Sequence, residues 1–266
     1  VQTPLDWANP SANRQRMARL LAPLAGATDL AVLPETFTTG FDMQGGASAE
    51  LMGGATCEWL RAQARHLDAA VLGSAFIRDG AGVHNRALWA TPDGTLAHYD
   101  KRHLFRMGGE QECYAAGLEP LLVSWRGARI APLICYDLRF PVWSRRRPRY
   151  DYDILVYVAN WPAARHYAWP QLLRARAIEN QACVIGVNRV GEDGNGVAHA
   201  GGSVALDALG RSVVELGDAA GVETVGLDLG ALLVRQVRPD VAVVVRAAAV
   251  DDGLDGSRRR REGEER

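Results

Sequence analysis

Short runs of unbroken apolar residues, alternating with segments of helical period, constrain this chain more than any other feature. "LAVLP" from Leu30, "AVLGSAF" from Ala70, "YDILVYVAN" from Tyr152 and "ACVIGVNRV" from Ala182 carry almost no polar interruption. All four read as strands, and the fully apolar "LAVLP" as one buried on both faces. After Asn9, an N-cap, and Pro10, suited to a first helical position, Met17, Leu20, Leu21 and Leu24 fall on one helical face up to Gly26. "CEWLRAQARHL" and "WPQLLRARAIENQ" have the same period. Hairpins are mixed in. "NRALWATPDGTLAHYDK" turns back at Pro92-Asp93-Gly94, where proline presets one turn dihedral and glycine accepts a positive one; "LLVSWRGARIAPLICY" turns at Arg126-Gly127 and "SVALDALGRSVVEL" at Gly210. Hairpins demand antiparallel neighbours, so a purely parallel doubly wound sheet is excluded and α/β layers with mixed sheets are predicted.

At 266 residues the chain suits one large domain, expected over residues 1–250, with a first strand expected to be truncated at Val1. The closing "DDGLDGSRRRREGEER", residues 251–266, is charged and nearly free of large apolar side chains, as in a disordered tail. A formal charge of -1 gathers neither nucleic acid nor anionic membrane, so a small molecule is the expected partner. No apolar run reaches the roughly 20 residues that span a bilayer, and "VQTPLDWANP" lacks the pattern of a secretion signal. Cys57, Cys113, Cys135 and Cys183 stand far apart, at no zinc or disulfide spacing. Free thiols, a cytoplasmic location and no metal are the expectations.

Cys135, in "APLICYDLRFP", stands at the carboxyl end of a predicted buried strand, the edge where ligands gather in open α/β structures. Such a thiol either packs or reacts. The flanking Leu133 and Asp137 are not the glycines of an α/β-hydrolase nucleophile elbow. With a pKa near 8.5, only roughly 3% of an unassisted thiol is ionised at pH 7, so reaction needs a base. His103, His166 and His199 are available without any local mark of catalysis. Glu35 follows the apolar "LAVLP", where a charge is costly unless it is used, or else points to water. Lys101, in "YDKRHLF", is either another strand-end functional group or a solvated lysine.

Taken in order, Glu35 in "LPETFTTGF", Lys101 in "YDKRHLF" and Cys135 in "LICYDLRFP" resemble the Glu-Lys-Cys triad of the nitrilase superfamily of carbon-nitrogen hydrolases. "NWPAARHYAWPQLLRARAIENQACVIGVNRVGEDGNG" resembles the stretch after the nucleophile in its omega-amidase branch, which acts on 2-oxoglutaramate. In "GGEQECYAAG", Glu110 matches the superfamily's second glutamate by its offset from Gly117, with Glu112 as competitor. The resemblance implies a four-layer α-β-β-α sandwich with two mixed β-sheets, a homodimer, and hydrolysis of a small amide without metal or organic cofactor. Another carbon-nitrogen hydrolase activity, or a non-catalytic binding protein on the same fold, are the alternatives. "LLVRQVRPDVAVVVRAAAVDDGLDG" departs from the branch in lacking any aromatic residue.

The roles implied are Cys135 as nucleophile, Glu35 as general base, and Lys101 with the backbone N–H of Tyr136 as oxyanion donors. Glu110 orients Lys101. For a substrate carboxylate, Arg165 in "NWPAAR" is the candidate, since a guanidinium binds carboxylate bidentately; the alternative is a loop arginine facing solvent. Phe37, Tyr136 and Trp161 are candidates for the pocket walls.

Overall fold

The computed structural model describes residues 1–43, 47–80, 82–230 and 242–244. The region 251–266, expected as a tail, lies outside the described residues, as does most of the segment after Gly230. Helix α1 (Pro10–Leu21) starts as expected, with Asn9 Oδ1 accepting from Ala12 N–H at 3.1 Å and Pro10 at the first turn. It leads to β1 (Leu30–Val32), the two-residue β2 (Glu50–Leu51) and α2 (Ala55–Leu67). Then come β3 (Ala70–Asp79), β4 (Gly82–Ala90) and β5 (Leu96–Asp100). In this first sheet β1 and β2 pair parallel with β3, and β3, β4 and β5 pair antiparallel in succession.

After the one-turn helix α3 (Glu110–Cys113) the chain builds a second sheet from β6 (Val123–Trp125) and β7 (Ala128–Ile134). Following the short α4 (Pro141–Ser144) it adds β8 (Ile154–Ala159) and, beyond α5 (Ala168–Asn180), β9 (Cys183–Asn188). A hairpin of β10 (Val190–Glu192) and β11 (Ala198–Ala200) intervenes before β12 (Val204–Leu206) and β13 (Ser212–Glu215). The order is β13-β12-β9-β8-β7-β6, with β7, β8 and β9 parallel and antiparallel pairs at both margins. β14 (Gly226–Asp228) pairs with β15 (Ala242–Val244). At the β6–β7 turn Arg126 and Gly127 both have positive φ, 44° and 85°, which suits a tight two-residue hairpin loop. One feature differs from the sequence reading: "ACVIGVNRV" is not a single strand but breaks after Asn188, and β10 turns back through Asp193–Gly196 onto β11.

The layers follow from strand alternation. Leu30, Val32, Ala70, Leu72, Ala87 and Trp89 pack in one cluster with Ile130, Ile134, Ile154, Val156 and Ile185 of the second sheet. Their alternates Ala31, Leu33, Val71, Leu88 and Ala90 pack with Met17, Leu21, Leu60, Ala64 and Leu67 of α1 and α2. On the far side α5 buries Trp169, Leu173 and Ala177 against the second sheet. The result is the expected α-β-β-α sandwich of two mixed sheets. Strands β1 and β5 of one sheet and β7 and β8 of the other bring their carboxyl ends to a common edge, and the candidate residues follow those ends.

Candidate active site

Glu35 lies three residues past the end of β1, in a turn rather than on the strand itself. Ser74 of β3 holds that turn: its Oγ accepts from Thr36 N–H at 2.7 Å and its carbonyl from Phe37 N–H at 3.1 Å. Lys101 directly follows β5, its N–H donating to the Asn85 carbonyl at 3.0 Å and its carbonyl accepting from Gly117 N–H at 3.0 Å. Cys135 ends β7 and opens a 3-10 turn, Cys135–Arg139. Both Thr36 and Cys135 have left-handed backbones, with φ of 41° and 43°. For residues with a Cβ this costs about 1 kcal/mol or more each, and such strain gathers at functional sites. Cys135 thus takes a sharp strand-end turn without flanking glycines.

Four ionisable side chains meet at this edge. Glu35 Oε1 accepts from Lys101 Nζ at 2.9 Å and from Asn85 Nδ2 at 2.8 Å, while Oε2 accepts from Asn160 N–H at 2.7 Å. Lys101 Nζ also reaches both oxygens of Glu110, at 3.1 and 3.0 Å. Glu110 Oε2 is fixed in turn by Phe105 N–H at 2.5 Å. Glu112 is exposed, so of the two glutamates in "GGEQEC" only Glu110 faces the lysine. The Cys135 thiol, 9% exposed, meets the Glu35 carboxylate in hydrogen-bond contact.

Burial, and next the negative charge of Glu35, push the Cys135 thiol well above its ordinary range, against the pull of Lys101. Burial acts on Lys101 in the opposite sense, but Glu110 and then Glu35 outweigh it and hold the ammonium charged. Burial pushes Glu110 up despite Lys101. The resting arrangement is therefore a protonated thiol, a carboxylate in contact with it, and a cation held by two acids. Tyr136 is the second residue of the 3-10 turn, and the first N–H groups of such a turn have no carbonyl within it to bond, so this N–H is free for a ligand.

Glu35, Lys101 and Cys135 open onto a cavity of about 190 Å³ that Tyr136, Trp161 and Arg165 also line. Trp161 is held by Nε1 donating to the Arg165 carbonyl at 2.8 Å, and the Arg165 guanidinium lies 5.3 Å from the Phe105 ring. Phe37 is a correction: its side chain is fully buried among Leu33, Gly73 and Trp59, on the helix side of the first sheet, away from the cavity. Residues two apart share a face only in an extended strand, and the left-handed Thr36 between Glu35 and Phe37 breaks that register. Phe41 forms the wall instead, with Lys101 Nζ 5.0 Å from its ring.

Sequence reasoning missed Asn85, Asn160 and Arg139. Asn85 is a fully buried amide of β4, set between His84 and Arg86 with no apolar run to mark it, and Asn160 is a buried one just past the apolar β8. Asn160 Nδ2 donates to the Glu35 carbonyl at 2.6 Å and to Thr36 Oγ1 at 2.9 Å, tying the turn of one sheet to the strand end of the other. Arg139 lines the cavity with its guanidinium 4.9 Å from the Trp161 ring. Among the described residues no group of three or more His, Cys, Asp or Glu is placed to hold a metal ion.

Comparison with known proteins agrees with this geometry. Omega-amidase YafV of Yersinia enterocolitica is 52% identical over 211 residues, covering 79% of this chain and 81% of that one. The 2-oxoglutaramate amidase of Bacillus subtilis strain 168 is 33% identical over 232 residues, covering 86% and 89%. The crystal structure of XC1258 from Xanthomonas campestris, a CN-hydrolase superfamily protein with an arsenic adduct in its active site, superposes with a TM-score of 0.86 at 51% identity, covering 87% of this chain and 90% of that one. Residues 1–236 match the carbon-nitrogen hydrolase family. With buried Glu35, Lys101 and Cys135 gathered at one sheet edge and this likeness running through nearly the whole described fold, the chain belongs to the carbon-nitrogen hydrolase family.

Proposed function

We propose that the chain hydrolyses the terminal amide of 2-oxoglutaramate, releasing ammonia and 2-oxoglutarate, through a thioester on Cys135. The observation that carries this is the meeting of thiol, carboxylate and ammonium at a cavity whose wall presents two guanidinium groups, Arg139 and Arg165, with no ion-pair partner among the described residues. The names of the Yersinia and Bacillus relatives support the substrate.

The Cys135 sulfur attacks the amide carbon while Glu35 takes the thiol proton. Because burial holds the thiol protonated, transfer to a carboxylate already in contact is the step that makes sulfur nucleophilic. The oxyanion is met by Lys101 Nζ and Tyr136 N–H, donors of a kind worth about 3 to 4 kcal/mol each in the transition state. Collapse breaks the C–N bond, and Glu35 returns its proton to the departing ammonia. Glu35 then takes a proton from water, which attacks the thioester and frees the acid; the proton goes back to sulfur. Glu110 and Asn85 keep Lys101 and Glu35 oriented. Arg165, joined by Arg139, binds the substrate's far carboxylate. In this reading the chain is one catalytic domain, uses no cofactor, has no nucleic-acid partner and works in the cytoplasm as a homodimer.

Ammonia release from 2-oxoglutaramate, N-carbamoyl amino acids, simple nitriles and glutamine tests the substrate. The expected order puts 2-oxoglutaramate first, with Arg165→Ala raising its KM; turnover of another class alone, or an unmoved KM, rejects the respective part.

A further inference from the structure

The catalytic scheme leaves one buried carboxylate unused. Asp137, two residues beyond the nucleophile, is fully buried, and both its oxygens are saturated by donors. Oδ2 accepts from Tyr99 O–H at 2.7 Å and from Ile134 N–H at 3.1 Å. Oδ1 accepts from His103 N–H at 2.9 Å and from His103 Nδ1 at 2.8 Å. An ionised carboxylate is acceptor-only, with about four lone-pair positions, so this arrangement fills it. The His103 ring must carry its hydrogen on Nδ1.

The donors come from two places. Ile134 immediately precedes Cys135, so its bond to Asp137 closes the backbone around the nucleophile and its left-handed φ. Tyr99 and His103 stand two residues to either side of Lys101, at the end of the first sheet's β5. One carboxylate therefore joins the Cys135 turn of the second sheet to the lysine segment of the first. Its donors are themselves secured: Trp143 Nε1 donates to the Tyr99 hydroxyl at 3.0 Å, and the His103 ring stacks on Phe140 at 3.7 Å. Burial, and then the charge of Asp137, push the Tyr99 phenol well above its ordinary range, so it remains an O–H donor.

We propose that Asp137 is a positioning residue of the amidase reaction, fixing the Cys135 turn and setting the distance from sulfur to the Lys101 ammonium. The proposal rests on the roles given to Cys135 and Lys101 above. Asparagine cannot substitute, because in either amide orientation its NH₂ would face a backbone N–H, that of Ile134 or that of His103.

The test compares Asp137→Asn, Tyr99→Phe and His103→Ala with the parent chain, reading kcat and KM for 2-oxoglutaramate and the rate of Cys135 alkylation by iodoacetamide. Displacement of reacting groups by about 1 Å costs on the order of 100-fold. Asp137→Asn is expected to lose about that factor in kcat, with KM within about twofold and alkylation slowed in parallel. A folded Asp137→Asn with kcat within about threefold of the parent overturns the proposal, as does a loss confined to KM with alkylation unchanged. If Asp137→Asn is not recovered folded, the single-donor variants decide: a fall of about 3- to 10-fold in kcat with KM unmoved supports the role, and unchanged kcat in both overturns it. Cys135→Ala, run alongside, separates the two readings. Activity surviving there defeats the nucleophile assignment, whereas activity lost there and kept in Asp137→Asn defeats only the role of Asp137.

Discussion

Lys101 is the residue on which the charges of the site balance. Its ammonium is 1% exposed and touches two carboxylates, and removing it would leave two buried acids in mutual repulsion. Lys101→Met is expected to lower kcat by at least about 100-fold, the usual result of losing an oxyanion donor. Glu110→Gln keeps the Glu35–Lys101 pair and is expected to lose less, between about 10- and 100-fold, through a misdirected lysine. Steady-state kinetics on both variants checks the order; equal, small losses would contradict it. At this scale Glu35 and Cys135 follow apolar runs and Lys101 the end of a strand, each ambiguous alone, and the triad was legible through the ordered resemblance of their three motifs. Phe37 was misread because nothing in "PETFTTG" announces a left-handed threonine, and Asn85 and Asn160 became visible only with both sheets in place.

Among elements, the segment Lys101–Gly117 depends most on a single backbone approach. A Cβ on Gly117 would stand 2.2 Å from the Asp100 carbonyl oxygen, a backbone atom that cannot swing aside, and Gly117 N–H bonds the Lys101 carbonyl. Gly117→Ala is expected to destabilise the fold by about 1 to 3 kcal/mol, as overpacking does, and to lower kcat by displacing Lys101. Denaturant unfolding with kcat measured on the folded fraction tests this; a variant with parental stability and activity would contradict it. The hairpins at Gly94, Gly127 and Gly210 were readable because turn chemistry is local. The β10–β11 hairpin was not, since "VNRV" keeps a strand's apolar pattern across the break after Asn188.

For the whole molecule, hairpins mixed with helical segments made α/β layers with mixed sheets predictable, while the four-layer stacking came only through resemblance. Burial sets a pH limit. His199 is 6% exposed, and burial, followed by Arg189, lowers its pKa to about 4 from an ordinary 6.5. The unfolded chain therefore binds the extra proton first as pH falls. This contribution to stability is complete above about pH 6.5 and is lost down to about pH 4, by about 3 kcal/mol. His199→Phe should flatten the stability profile over that window in denaturant titrations; an unchanged slope would contradict the assignment.

The central claim is the covalent step. Acid quench during turnover of 2-oxoglutaramate, followed by mass spectrometry of the peptides, should show the Cys135 peptide heavier by the substrate less ammonia, with Cys57, Cys113 and Cys183 unmodified and no adduct in Cys135→Ala. Steady turnover in Cys135→Ala, or an adduct on another residue at the catalytic rate, would contradict the account.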